Sequence, residues 1–151
     1  MNSKIVLTTI CILMIFSFRG FSQNKENPFS EDVYKVSHVL HKILTNYLNM
    51  EFDKIIPLSE GKAKKDMEKM IFYIQTPSKY SQIKNEISLL SNPKIKDIRI
   101  FEEENLGIAL VEWEYKRSVP NGTNFGVVSV KREVNYMFKK FGKEWKLISY
   151  R

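Results

Sequence analysis

The sequence predicts an α+β domain in which N-terminal helices pack on a curved antiparallel sheet of about four strands. Three observations carry this expectation. Four segments with apolar residues at helical spacing occupy residues 30–90, and four strand-like runs occupy residues 94–151. Turn signals separate the runs, at Glu102-Glu103-Glu104-Asn105, Asn121-Gly122 and Phe141-Gly142. Helices gathered ahead of strands are the order of helices laid on one face of an antiparallel sheet.

The first helix is expected over residues 30–49. Ser30 suits the N-cap, Glu31 and Asp32 sit where the helix dipole favours acids, and Phe29 can staple onto Tyr34. Val33, Val36, Leu40, Ile43, Leu44 and Tyr47 form its buried stripe. A short helix follows over 50–58, ended by Pro57, with Phe52, Ile55 and Ile56 apolar. The third helix spans 62–75 on Ala63, Met67, Met70, Ile71 and Ile74. Thr76 is expected to cap the fourth, with Pro77 at its first position and Tyr80, Ile83, Ile87 and Leu90 on its apolar face.

Strands are expected over 94–101, 106–117, 127–139 and 144–151. In the second, Ala109, Val111, Trp113 and Tyr115 alternate with Ile108, Leu110, Glu112 and Glu114. A two-residue loop at Phe141-Gly142 would set Phe138 opposite Trp145, Tyr136 opposite Leu147 and Val134 opposite Ser149, matching apolar with apolar. Ile148 and Tyr150 then point to the opposite face with Ile108, Leu110 and Met137. A homodimer through that face would cover them.

Residues 1–22 read as a secretory signal peptide: Lys4 is basic, residues 5–18 are an apolar run of 14, and Gly20-Phe21-Ser22 suits cleavage before Gln23. The run is shorter than the ~20 residues of a spanning helix, so no transmembrane segment is expected after cleavage. Residues 23–29 are a flexible lead and 30–151 a single domain. An aromatic before Ser22-Gln23 resembles exported Bacteroidetes proteins, implying a Gram-negative periplasm or the outside of the cell. Cys11, the only cysteine, lies in the apolar run without the small preceding residue of a lipid-attachment signal. The mature chain then lacks a disulfide, a thiolate metal site and a cysteine nucleophile.

Removing Lys4 and Arg19 from the 24 basic residues leaves 22 against 17 acidic ones, a formal charge of +5. The basic residues are scattered, so solvation of the surface is the ordinary meaning, and polyanion binding is the alternative. No nucleic-acid motif accompanies the charge, and no specific nucleic acid is expected. His38 and His41, both on the first helix, fall outside its apolar stripe and have poor zinc spacing, so no metal or cofactor is expected. Phosphate-cradling glycine loops and the CxxC, HExxH and GxSxG motifs are absent. Asn121-Gly122-Thr123 matches a glycosylation sequon, but a bacterial address makes it a turn.

Glu112 and Glu114 share the outer face with Ile108 and Leu110, which disfavours a catalytic pair; Lys131 is expected across from Glu112, as an exposed cross-strand ion pair. Arg132 shares a face with Val130, Val134 and Tyr136. An arginine there needs an acceptor: a carboxylate of the chain itself, solvent at the sheet end, or a ligand carboxylate or phosphate.

Two phrases resemble a known superfamily: Asn49-Met50-Glu51-Phe52-Asp53-Lys54-Ile55 after the long first helix, and the closing Gly142-Lys143-Glu144-Trp145-Lys146-Leu147-Ile148. With the order of elements, they resemble the nuclear transport factor 2-like superfamily, also called ketosteroid-isomerase-like or cystatin-like in fold. The resemblance implies a sheet wrapped round the first helix and a cone-shaped pocket between them. Tyr47, Phe52, Trp113, Tyr115, Tyr136 and Phe138 are candidates to line it, with Arg132 on the same face; alternatively these rings fill the cone. One departure stands out: members usually carry a strand or hairpin where this chain reads as helix, across 62–90. Isomerases and dehydratases of the superfamily set an acid or base in the pocket, and this chain has no matching position. The function expected is therefore an exported, non-catalytic binding or accessory domain of the bacterial envelope, taking a small apolar or anionic ligand or an envelope protein. A pocket enzyme of isomerase or dehydratase type is the alternative, and a basic polyanion-binding protein the second.

Overall fold

The computed structural model describes residues 30–151 apart from Asn92, Gly122 and Thr123, and for Asn121, Asn124 and Phe125 the backbone alone. The expected leader and the lead that follows it lie outside the described residues, as does Phe29. Within the unit Glu31–Arg151, helix α1 (Glu31–Leu48) opens the fold and buries Val36, Leu40, Ile43 and Leu44 along one stripe. Met50, at φ 59, turns the chain into α2 (Phe52–Ile55) and a 3-10 turn (Ile56–Leu58). Helix α3 (Gly61–Ile74) buries Ala63 and Met67, and α4 (Pro77–Ser88) buries Ile83 and Ile87.

Two details of α4 differ from expectation. Thr76 makes no side-chain cap; its backbone carbonyl accepts from Tyr80 N–H at 2.8 Å, and Pro77 at the start leaves one donor fewer to satisfy. Tyr80 is 41% exposed, and Leu90 lies beyond the helix, where it bridges to Tyr115.

The sheet is a four-stranded antiparallel meander in the order β1 (Lys94–Phe101), β2 (Leu106–Asn121), β3 (Asn124–Phe141) and β4 (Glu144–Tyr150). It is curved and does not close on itself. β2 and β3 run past the expected ends, to Asn121 and from Asn124, because the two strands pair along their whole length. Pro120 is tolerated there because β1 pairs with β2 only as far as Glu112, so the missing N–H faces no further strand.

The β3–β4 register corrects the expected one. The loop is Gly142-Lys143, with Gly142 at φ 62, so Phe138 pairs with Leu147 instead of Trp145. The pairing then slips: Met137 faces Ser149 and Tyr136 faces Tyr150, leaving Ile148 as an extra residue in β4. This bulge turns Tyr150 onto the inner face, where it stacks on Tyr136 with ring centroids 6.1 Å apart. The inward alternation of β2 is as expected, with Ala109, Val111 and Trp113 buried.

Two open edges of the sheet are partly covered, that of β4 and that of β2 beyond the end of β1. Glu60 N–H donates to Leu147 C=O at 2.8 Å beside β4, and Ser59 Oγ, buried, donates to Ile55 C=O at 2.9 Å. Beside β2, Ser91 N–H donates to Glu114 C=O at 2.7 Å and Lys116 N–H to Leu89 C=O at 3.0 Å. Such pairing blunts an otherwise open strand edge.

Val36 of α1 meets the sheet over Gly107. A Cβ built there would lie 3.2 Å from Ile100 Cδ1 and 3.4 Å from both Trp145 Cζ3 and Val36 Cγ2. At the same end, Asp32 accepts hydrogen bonds from Lys140 Nζ at 2.7 Å and from Trp145 Nε1 at 2.9 Å. These two donors, Lys140 first, hold the Asp32 carboxyl below its ordinary pKa of 3.8.

Asp32→Ala leaves the indole N–H and the ammonium unpaired and is expected to cost about 1–3 kcal/mol, measured as a lower urea midpoint. Because the folded pKa is depressed, the contribution of Asp32 is present above about pH 4 and is lost as pH falls through the folded value. Asp32→Asn is therefore expected to flatten the acid limb of the stability profile; an unchanged limb would show that Asp32 is not linked to folding.

Candidate functional site

A cavity of about 660 Å³ opens between the C-terminal half of α1 and the inner face of the sheet. Its volume lies within the roughly 300–1,000 Å³ typical of small-molecule sites. Ile43, Leu44 and Tyr47 come from α1, Ile55 from α2 and Met67 from α3. Glu86 of α4 and then Leu89 and Leu90 form a second wall. Trp113 and Tyr115 of β2, Val134 and Tyr136 of β3, and Leu147 and Tyr150 of β4 complete it, with Arg132 and Arg151.

Of the seven residues singled out from the sequence, Tyr47, Trp113, Tyr115, Arg132 and Tyr136 line this cavity. Phe52 and Phe138 do not: both are wholly buried in the core. Phe52 packs edge-on behind Tyr47 at 5.6 Å between ring centroids, and Phe138 faces Leu147 across the hairpin. The rings therefore do not fill the cone; an open space remains in front of Tyr47 and Trp113, which meet edge to face at 6.3 Å.

Sequence reasoning missed Tyr150, Met67, Leu90 and Glu86 as lining residues. For Tyr150 there was a signal: regular alternation would have left both Ile148 and Tyr150 on the outer face, and the bulge relieves part of that mismatch. Ile108, Leu110, Met137 and Ile148 are half-buried on the opposite face.

The polar groups of the cavity are chiefly phenols. Trp113 Nε1–H donates to Tyr136 Oη at 3.1 Å, both residues being buried. The Tyr136 oxygen is thus an acceptor on one side, and no acceptor for its own proton is seen among the described residues. Burial pushes the Tyr136 phenol far above its ordinary value, and the Trp113 hydrogen bond offsets this only partly. Burial also raises Tyr47, helped by the charge of Glu86. Tyr150 is pushed up to about 12 by burial first, then by the charge of Asp66 on α3.

Arg132 lies directly opposite Trp113 in the β2–β3 ladder and is exposed at the cavity's rim. Of the acceptors expected for it, solvent is the one its exposure provides; no carboxylate lies within ion-pair distance among the described residues. The neighbouring acids explain this. Glu112 is on the outer face with Lys131 at 3.2 Å and Lys96 at 3.7 Å, and Glu133 pairs with Glu112 on that same face. Glu86, on the cavity rim, accepts from Gln82 Nε2 at 3.0 Å.

His38 and His41 are exposed on α1, and His38 stacks with Tyr34 at 6.3 Å. Among the described residues, no cluster of three or more His, Cys, Asp or Glu side chains could hold a metal ion. A second hollow of about 420 Å³ lies between α1 and the β3–β4 loop, bordered by Lys35, His38, Lys143 and Lys146. Two of its cations are already paired, Lys35 with Glu31 at 2.6 Å and Lys146 with Glu144 at 3.8 Å.

A helix laid on a curved four-stranded meander, with a cavity between them, defines a ketosteroid-isomerase-like, nuclear transport factor 2-like fold. Among solved structures, a ketosteroid isomerase-like protein from Erwinia carotovora atroseptica matches with a TM-score of 0.50 at 12% identity, covering 81% of this chain and 95% of that one. The intermembrane space region of the chloroplast protein ARC6 matches with a TM-score of 0.49 at 8% identity, covering 82% and 97%. A Streptomyces avermitilis protein of the nuclear transport factor 2-like family matches with a TM-score of 0.45 at 10% identity, covering 79% and 93%. At such identities the likeness is one of backbone architecture. No family model and no curated protein matches the sequence.

The raised phenols fix the sign of an alkaline effect. Above pH 10 the unfolded chain releases tyrosine protons that the native chain retains, so stability falls as pH rises towards the folded values. Tyr136→Phe and Tyr150→Phe are each expected to flatten that fall, followed by urea unfolding at stepped alkaline pH. Equal slopes in the parent and both variants would mean that neither phenol is buried.

Proposed function

We propose that the chain is an exported binding domain of the bacterial envelope that holds a small, largely apolar molecule between α1 and the sheet. The observation that carries this reading is an open cavity of about 660 Å³ with Ile43, Leu44, Ile55, Met67, Leu90 and Val134 in its walls. Shelter of an apolar body from water is the dominant free energy such walls can supply, roughly 25 cal/mol per Å² buried. The address rests on the leader-like residues 1–22, and no helix among the described residues is long and apolar enough to cross a membrane.

Binding is favoured over catalysis by the protonation of the cavity. The three lining phenols whose pKa values are raised stay protonated at neutral pH, so they can donate hydrogen bonds but not remove protons. The acidic side chain in the lining, Glu86, is exposed on α4 and already accepts from Gln82 Nε2, and the lining includes no histidine. An isomerase or dehydratase needs a positioned base inside the water-excluding part of the site. The polyanion reading is less well supported, because carboxylates of the chain already engage Lys35, Lys96, Lys131, Lys140 and Lys146.

The test uses the neutral fluorophore N-phenylnaphthylamine. Saturable enhancement at one probe per chain is expected. Val134→Trp, which places an indole in the cavity, is expected to reduce it at least severalfold while circular dichroism is unchanged. Enhancement that does not saturate, or that Val134→Trp leaves intact, would show that the cavity is not the binding site.

A further inference from the structure

We infer that the ligand of this cavity is an amphipathic monoanion, with its apolar body against α1 and its carboxylate held at the rim by Arg132 with Arg151. This rests on the binding reading above and adds the chemistry of the head group.

The argument starts from strand parity. Arg132 sits on the inner face of β3 with Val134 and Tyr136, yet the neighbouring acids of the sheet, Glu112 and Glu133, are on the outer face. The guanidinium therefore stands beside an apolar cavity with no carboxylate of the described residues to neutralise it. Arg99, by contrast, is paired within its own strand, with Asp97 at 2.7 Å. Arg151 lines the same opening, anchored beside β3 by two backbone hydrogen bonds with Asn135, at 2.8 and 3.1 Å.

Arg132 is a cation at the cavity's rim with no ion pair among the described residues, and a neutral ligand would leave it beside low-dielectric walls without a counter-charge. One carboxylate supplies that counter-charge. The planar fork of arginine matches a carboxylate with two parallel N–H···O bonds, which a neutral alcohol cannot reproduce. Deeper in, the Tyr136 hydroxyl has its oxygen occupied by the Trp113 N–H and its proton free to meet a polar atom of the ligand body.

Decanoate and decanol, which share a chain and differ in the head, are competed against N-phenylnaphthylamine on the full chain at fixed physiological salt. Decanoate is expected to displace the probe at a concentration about tenfold or more below that of decanol, the scale of a charge-assisted pair. Arg132→Gln is expected to remove most of that preference while leaving decanol unchanged, and Arg132→Lys to keep part of it. Arg151→Gln is expected to have the smaller effect of the two Gln variants. Because Arg132 is exposed, these variants are expected to retain the parent's circular dichroism and urea midpoint.

Equal displacement by the acid and the alcohol would overturn the inference and leave the binding reading standing, as would a preference that survives Arg132→Gln. Failure of the probe to bind saturably would overturn both.

Discussion

The close approach of α1 to the sheet at Gly107 is the contact on which the rest of the structure depends. Val36, Ile100 and Trp145 converge there: a Cβ would lie 3.2 Å from Ile100 Cδ1 and 3.4 Å from the other two, so bare backbone lets side chains of α1, β1 and β4 meet over β2. Asp32, one turn earlier, ties the same end of the helix to the β3–β4 hairpin through Lys140 and Trp145. From Val36 to Tyr47 the helix advances about 16 Å, which carries it from this closed end to the cavity. The cavity is thus the far end of a helix whose near end is pinned.

What borders the open end is a different kind of structure. Beyond Glu112 and Tyr136, β2 and β3 continue as a two-stranded ribbon, since β1 and β4 have by then run out. A two-stranded ribbon is marginal alone, and here the segment after α4 braces it through Leu89, Leu90 and Ser91. The same segment brings Leu89 and Leu90 against the opening, so the brace of the ribbon is also a wall of the site. Trp113 and Arg132, the facing pair where β1's cover ends, mark the change from packed core to accessible surface.

The phenols give the site its character. Burial is the chief cause that raises Tyr47, Tyr136 and Tyr150, so the cavity presents hydrogen-bond donors and apolar walls with its charge at the rim. Separation of a dry, uncharged interior from a cationic edge is a geometry suited to molecules with two unlike ends.

The α+β order, the four helical segments and β1 were legible in the sequence because each depends on local periodicity and on turn residues. The inward face of β2 was legible for the same reason. The ion pair of Lys131 with Glu112 was expected too, but not its placement: the two are diagonal neighbours in the ladder, with Glu133 and not Lys131 across from Glu112. Tyr150 was not legible, because a single extra residue at Ile148 reverses parity for everything after it, and no composition signal fixes where a bulge falls. Nor could the sequence separate Phe138, which is wholly buried, from Tyr136, which reaches the cavity; both alternate inward, and only the position of α1 over the sheet distinguishes them. Whether Arg132 found a carboxylate was likewise a matter of tertiary structure, since pairing across a sheet and between helices depends on distances that periodicity does not contain.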